Sequence, residues 1–265
     1  MKSQGGEYVT TIKERYETLK QRIADAAIRS NRKPETIHLV AVTKHASMEE
    51  VRQLLELGHV DFGENRVQHY TQLAAQVQEH LDRRSEIGEL KQTEPVRWHF
   101  IGHLQRNKCR RVLPLSRLVH SLDSLRLAEE IQELAERQKM NVEVLIQVNV
   151  SGERHKMGVA PAAVTHIIDQ LDTMPNIITR GMMCMAPPVE DPEETRPVFL
   201  RCQELFEETK TTSKVGSEFN ILSMGMSNNF EVAIACGANI VRVGTALFGE
   251  NTEVSDETSV KCSQT

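Results

Sequence analysis

Aromatic side chains are scarce: three Tyr, one Trp and seven Phe make up 4% of the 265 residues. That leaves little from which to build a base-stacking surface. Basic charge is not in excess either. The 32 Lys and Arg face 37 Asp and Glu, a formal net charge of −5. A chain so balanced lacks the basic footprint of a nucleic-acid binder. No apolar run approaches the roughly 20 residues that cross a bilayer, so no membrane segment is expected. The N-terminal MKSQGGEYVTT lacks the apolar stretch of a secretory signal. Cysteine is sparse too: Cys109, Cys184, Cys202, Cys236 and Cys262 are odd in number and form no CxxC pair. A disulfide framework or structural zinc site is therefore not expected, and a reducing cytoplasm is.

What the chain does have is apolar residues, 39% of the total, enough for one sizeable core at a length typical of a (β/α)₈ barrel. Ile12, Tyr16, Leu19, Ile23 and Ala27 recur at helical spacing and predict a helix over 8–31. IHLVAVTK, 37–44, reads as a strand. Ser47 and Glu50 then form the S-x-x-E pattern that starts a helix. This strand–turn–helix unit recurs. Strands are expected at 59–63, 96–102, 118–122, 142–150, 176–183, 219–225 and 238–244. Helices are expected at 65–81, from 105, and at 124–139, 161–172, 192–210 and 228–236, with a short one after strand eight. Asp191-Pro192 offers an N-cap with Pro at the first helical position. Residues 85–95 read as a polar loop. Alternation implies a parallel sheet, and eight units imply a closed single (β/α)₈ TIM-type barrel with an extra N-terminal helix. No GxGxxG follows the first strand, which disfavours a Rossmann sheet. The domain is expected over 1–250, with 251–265 a polar, frayed tail.

Chemistry in such barrels sits at the C-terminal strand ends. Strand one ends in Thr43-Lys44, strand two in Gly63-Glu64-Asn65, strand three in Ile101-Gly102-His103. Strands seven and eight lead into Ser227 and into Arg242-Val243-Gly244-Thr245. Closure would set strand eight beside strand one, bringing Lys44 near Arg242 and Gly244. The loops after strands seven and eight form the usual phosphate site of these barrels, and here they offer Ser227, Gly244 and Thr245. Glycine lets backbone N–H groups approach phosphate oxygens, and hydroxyls add donors. A lysine beside a phosphate cradle suits a phosphorylated aldehyde, with which its amine forms an imine when desolvation and a neighbouring cation favour the neutral amine. Arg242 is one candidate for that cation. It also suits a pyridine nitrogen, where a permanent donor would leave the ring unprotonated and weaken it as an electron sink.

Blander readings stand beside these. Lys44 alone is a solvated strand-end lysine, Ser227 a helix cap, Gly244-Thr245 a turn, and Asn65 the cap of the second helix. Arg242, inside a strand, needs a partner in any reading. His99 and His103 lie on a strand and a turn, a poor arrangement for a metal pair. Glu64 is either a general base or half of a structural ion pair. Cys109 and Cys184 have no activating neighbours in sequence and read as inert thiols. The run GMMCM, 181–185, reads as core, and the acidic helix at 193–208 as a solvated face.

Several longer segments carry more information: LVAVTK at 39–44, FGENRVQ at 62–68, WHFIGHLQRNK at 98–108, VLIQVNVSGERHKMG at 144–158, RGMMCMAP at 180–187 and LSMGMSNNFEVAIACGANIVRVGTALFG at 222–249. In these the chain resembles the pyridoxal-phosphate homeostasis protein family, small barrels related to the N-terminal domain of alanine racemase. The resemblance covers about residues 8–250. It implies that Lys44 carries pyridoxal 5′-phosphate (PLP) as a Schiff base. It further implies that Ser227, Gly244 and Thr245 hold the phosphate, that Arg242 meets the pyridine nitrogen, and that Asn65 lies near the ring. It implies a carrier and regulator of cellular vitamin B6 without established turnover. Asn228-Asn229 stands where the family commonly has an acidic pair, and Cys184 where a small residue is frequent.

The alternative is a PLP-dependent racemase. A two-base racemase needs a second acid/base group, usually a tyrosine from an added β-domain, and the tyrosines here, Tyr8, Tyr16 and Tyr70, fall at no expected strand end. A Schiff-base aldolase ranks last, because its lysine usually sits on a middle strand. A monomer is expected, with an uncovered barrel mouth from which PLP-accepting apo-enzymes or free amines could exchange with Lys44.

Overall fold

In the computed structural model, eight parallel strands close into a barrel in strict chain order. The structure describes residues 10–88, 94–153, 157–213 and 215–249. The expected tail at 251–265 and part of the 85–95 loop lie outside the described residues. No helix among those described is long and apolar enough to cross a membrane.

The first helix, α1 (Ile12–Arg29), starts where Thr11 and Glu14 cap it reciprocally. It stops before Asn31, whose φ of 54° is left-handed, rather than running to 31. Strand β1 (His38–Val42) leads to α2 (Met48–Glu56), where Ser47 and Glu50 make the expected capping box. Strand β2 (Asp61–Glu64) begins two residues late, because the N–H of His59 still bonds back to Leu54 of α2. Helix α3 (Val67–Glu86) follows, then β3 (Arg97–Phe100). The helix expected from 105 is broken into a 3₁₀ turn, a single α turn α4 (Cys109–Val112), and a second 3₁₀ turn at Leu113–Leu115. Pro114 has no N–H to continue an α-helix. The remainder alternates as expected: β4 (Leu118–Leu122), α5 (Leu125–Gln138), β5 (Val142–Val148), α6 (Val164–Leu171), β6 (Ile177–Cys184), α7 (Arg196–Thr212), β7 (Ile221–Ser223), α8 (Phe230–Ala235), β8 (Ile240–Val243) and the short α9 (Thr245–Phe248).

Strand periodicity divides the apolar residues into two cores. Ala41, Phe62, Phe100, Val119, Ile146, Met182, Leu222 and Val241 face outward and pack under the helices. Their neighbours Val40, Leu118, Leu145, Met183 and Ile240 form a second, smaller cluster inside the barrel. Helix α1 closes the outside by packing on α2, α8 and α9. It is tied there by the Arg22–Glu231 ion pair at 2.9 Å. Just past its end, Arg32 donates to the carbonyl of Ala238 at 2.6 Å.

Candidate cofactor site at the barrel mouth

Pairing of β1 with β8 sets Val40 opposite Arg242 and Ala41 opposite Val243. The chain past β1 and the chain past β8 therefore leave the barrel along one seam. A cavity of about 410 Å³ opens there at the C-terminal strand ends. Lys44, Asn65, Ser227, Arg242, Gly244 and Thr245, the six residues singled out from sequence, all line it. Its apolar wall comes from Val42, Ile101, Met185, Ala186, Pro187 and Pro188.

Ser227 is not a helix cap. Asn229 occupies the N-cap of α8, which starts at Phe230. The Ser227 hydroxyl instead accepts from the N–H of Gly244 at 3.2 Å and of Ala246 at 3.3 Å. One hydroxyl thus gathers the donors of the β8–α9 loop on the rim of the cavity. Gly244 packs closely there: a Cβ would make a tight 3.3 Å contact with the carbonyl oxygen of Val42. Asn65 is no cap either, since Arg66 holds the N-cap position of α3. Its carbonyl lies against Gly102, where a Cβ would come within 2.1 Å.

Arg242 is buried, and burial pushes its guanidinium down to about 10. The partners it needs are the Ser223 hydroxyl at 2.6 Å and the Cys184 carbonyl at 3.1 Å. Neither is a carboxylate. A guanidinium has five N–H groups, so most of its donor capacity is left for the cavity.

The weaker candidates lie elsewhere. Glu64 is fully buried and does not line the cavity; it accepts from Thr43 at 2.6 Å and pairs with His69 at 2.8 Å, the structural role. His99 and His103 do not converge: His99 bonds Asp61 and His120, and His103 bonds Asp123. Among the described residues no cluster suits a metal ion. Cys109, Cys184, Cys202 and Cys236 are free and buried, and burial raises the Cys109 thiol to about 12. Of GMMCM, Met182, Met183 and Cys184 are core, but Met185 is exposed on the cavity wall. The glutamates of α7 are exposed.

Sequence reasoning missed Asp61, His120 and Ser223. The available signal was polar residues inside short strands that are otherwise apolar, as in LVHSL. It also missed the wall of Met185 to Pro188, which the proline pair in the loop after β6 could have marked.

Residues 12–252 match the model of the alanine racemase N-terminal domain. The chain is 38% identical over 241 residues to the pyridoxal phosphate homeostasis protein of Aquifex aeolicus, covering 89% of this chain and 97% of that one. Among solved structures, an unknown protein from Bifidobacterium adolescentis superposes with a TM-score of 0.80 at 33% identity, covering 89% of this chain and 94% of that one. PipY of Synechococcus elongatus PCC7942, with PLP bound, superposes with a TM-score of 0.71 at 29% identity, covering 87% of this chain and all of PipY. Near-complete coverage in both directions and the shared barrel place this chain in the pyridoxal phosphate homeostasis protein family, built on the alanine racemase N-terminal domain.

Proposed function

We propose that this protein binds PLP in the mouth cavity as a Schiff base on Lys44 and acts as a vitamin B6 carrier and regulator rather than as an enzyme. The observation that carries the reading is the convergence of Lys44, a buried arginine and a hydroxyl-and-glycine donor loop on one cavity. The PLP bound in the related PipY supports it.

The residues fit the cofactor's chemistry. The Ser227 hydroxyl and the N–H and hydroxyl of Thr245 would supply hydrogen bonds suited to a phosphate, and Gly244, whose N–H donates to Ser227, keeps that loop free of a Cβ. Arg242 offers donors to the ring nitrogen and holds no proton to give it, because a guanidinium stays charged. The apolar wall suits a ring face. Asn65, which lines the same cavity, would lie near the ring. When bound, the cofactor supplies an aldehyde that links reversibly to an amine.

Racemization needs a second acid/base group across the ring. Tyr16 bonds His59, Tyr70 bonds Ser116, and neither lines the cavity. Donors fixed on the ring nitrogen also work against carbanion stabilisation. In this reading the protein is a cytoplasmic monomer that passes PLP to apo-enzymes.

The test is the visible spectrum of the purified protein with added PLP, beside Lys44→Ala, with borohydride trapping and mass mapping. An imine band absent from the variant, and an adduct on Lys44, is the expected result. No band in the wild type, or an adduct on another lysine, overturns the reading. Racemase turnover above a heat-killed control would overturn the carrier assignment alone.

A further inference from the structure

The inside of this barrel is polar where such barrels are usually filled by branched aliphatics. Beside its small apolar cluster runs an unbroken line of hydrogen bonds from one face to the other. At the N-terminal face Arg97 clamps the Asp61 carboxylate with two bonds of 2.8 and 2.7 Å. Asp61 meets His99 Nε2 at 3.0 Å, and His99 Nδ1 meets His120 Nε2 at 3.0 Å. His120 Nδ1 meets the Ser223 hydroxyl at 3.0 Å, and Arg242 donates to that same hydroxyl at 2.6 Å. His120 and Ser223 are completely buried, and His99 and Arg242 nearly so.

The end groups fix the direction of every proton in the line. A carboxylate only accepts, so His99 carries its hydrogen on Nε2 and donates to Asp61. Its Nδ1 then accepts from His120 Nε2–H. His120 Nδ1 accepts from the Ser223 hydroxyl, and that oxygen accepts from Arg242. Every donor finds an acceptor. A second proton on His99 would reverse His120 and leave the Ser223 hydrogen with no acceptor in the line. Burial, with the charge of Arg242, also holds His120 well below the usual imidazole range.

The arrangement answers a physical problem. Arg242 is a buried cation, and among the described residues no carboxylate contacts it. A buried charge without compensation is costly. The aligned hydrogen bonds polarise one another and end on Asp61, so a carboxylate on the far side of the barrel serves as the distant counter-charge.

We propose that His99, His120 and Ser223 are positioning residues for Arg242, carrying the Asp61 charge across the barrel and holding the guanidinium in the one orientation that presents its remaining N–H groups to the mouth cavity. The line itself does not depend on the cofactor. Its consequence for PLP binding rests on the function proposed above.

Two spectra of the full chain without cofactor test the line directly. In ¹⁵N-histidine spectra at pH 7, assigned by His99→Gln and His120→Gln, both rings are expected as Nε2–H tautomers. An Nδ1–H or doubly protonated ring overturns the proposal. In ¹⁵N-arginine spectra, Arg242, assigned by Arg242→Lys, is expected to show resolved, slowly exchanging Hη signals. His120→Phe is expected to collapse them. His120→Gln, whose amide can accept from Ser223 and donate to His99, is expected to restore them. With PLP added, His120→Phe is expected to move the visible band and weaken binding about tenfold or more, the loss expected when a hydrogen bond to a charged group is cut. The Gln variant is expected to recover most of it. Unchanged Arg242 signals and affinity in His120→Phe would sink the idea. Should His120→Phe fail to fold, Ser223→Ala cuts the same line and must give the same losses. A wild type that forms no imine would remove the Lys44 assignment while the two cofactor-free spectra still decide the positioning role.

Discussion

Gly102, just past β3, lies so close to Asn65, just past β2, that a Cβ on Gly102 would sit 2.1 Å from the Asn65 carbonyl oxygen and 2.7 Å from its Cα. The obstacle is backbone, so it cannot swing aside. Gly102→Ala must therefore push the Asn65 segment off the cavity rim. It is expected to cost about 2 kcal/mol of stability and to weaken PLP binding about tenfold. Asn65→Ala keeps the backbone and should stay within about 0.5 kcal/mol of wild-type stability. Urea denaturation and PLP titration on both variants check this. Equal stability losses in the two would show that the glycine contact is not the cause.

The Ser227 hydroxyl organises the β8–α9 loop through Gly244 and Ala246. Ser227→Ala leaves both N–H groups near the mouth without that acceptor, where water can reach them. The expected change in stability is small, about 1 kcal/mol. PLP affinity is expected to drop about tenfold, and inorganic phosphate should compete less well with PLP than in wild type. Isothermal titration with and without phosphate checks both. An unchanged phosphate effect would place the phosphate elsewhere.

The barrel was legible because its units repeat and its strands are apolar between clear turns. β4 falls where the run LVHSL places it, and α5 differs from its expected span by one residue at each end. Errors arose where tertiary contacts set a boundary. His59 reads as strand, yet its N–H completes the end of α2. Ser227 reads as a cap, yet the neighbouring β8 loop claims its hydroxyl. The six cavity residues were legible because each lies at or just past a strand end in a contiguous motif. Asp61, His99, His120, Ser223 and Arg242 come from five strands, one residue each, and only the barrel's register aligns them. No local pattern records that register.

Strand β6 holds Gly181 at a φ of +149°, where its register with β5 shifts by one residue. A Cβ there would lie 1.8 Å from the Ile221 carbonyl oxygen of β7. Gly181→Ala combines a strained backbone with a backbone clash between paired strands. It is expected to destabilise by about 3 kcal/mol or more. The urea midpoint of the apo protein measures it. A loss below about 1 kcal/mol would mean that β6 and β7 can part without disturbing the barrel.

Acid should destabilise this protein in two steps, the first set by buried histidine. Burial lowers His59 from 6.5 to about 4, against weaker opposing contributions from Asp61. Its ring is held between the Tyr16 hydroxyl and the Asp61 carbonyl, with Lys20 as a nearby cation and the His99 imidazole beside it. Above pH 6.5 the ring is neutral folded or unfolded, so it adds no pH dependence. Below 6.5 the unfolded chain takes up a proton that the folded ring refuses, so stability falls until about pH 4. At about 1.4 kcal/mol per unit, this comes to roughly 3 kcal/mol. His120, also held below its usual range by burial, steepens the same limb. Asp61 is raised by desolvation but lowered more by Arg97 and His99, so it stays charged when folded. Its stabilisation is present above the unfolded carboxylate range and is lost only below about pH 4, the second step. His59→Phe removes one titrating ring. The stability of wild type relative to His59→Phe is therefore expected to fall by roughly 3 kcal/mol from pH 7 to pH 4. Urea titrations at half-unit intervals measure it, and parallel curves for the two proteins would show that His59 accepts its proton in the folded state.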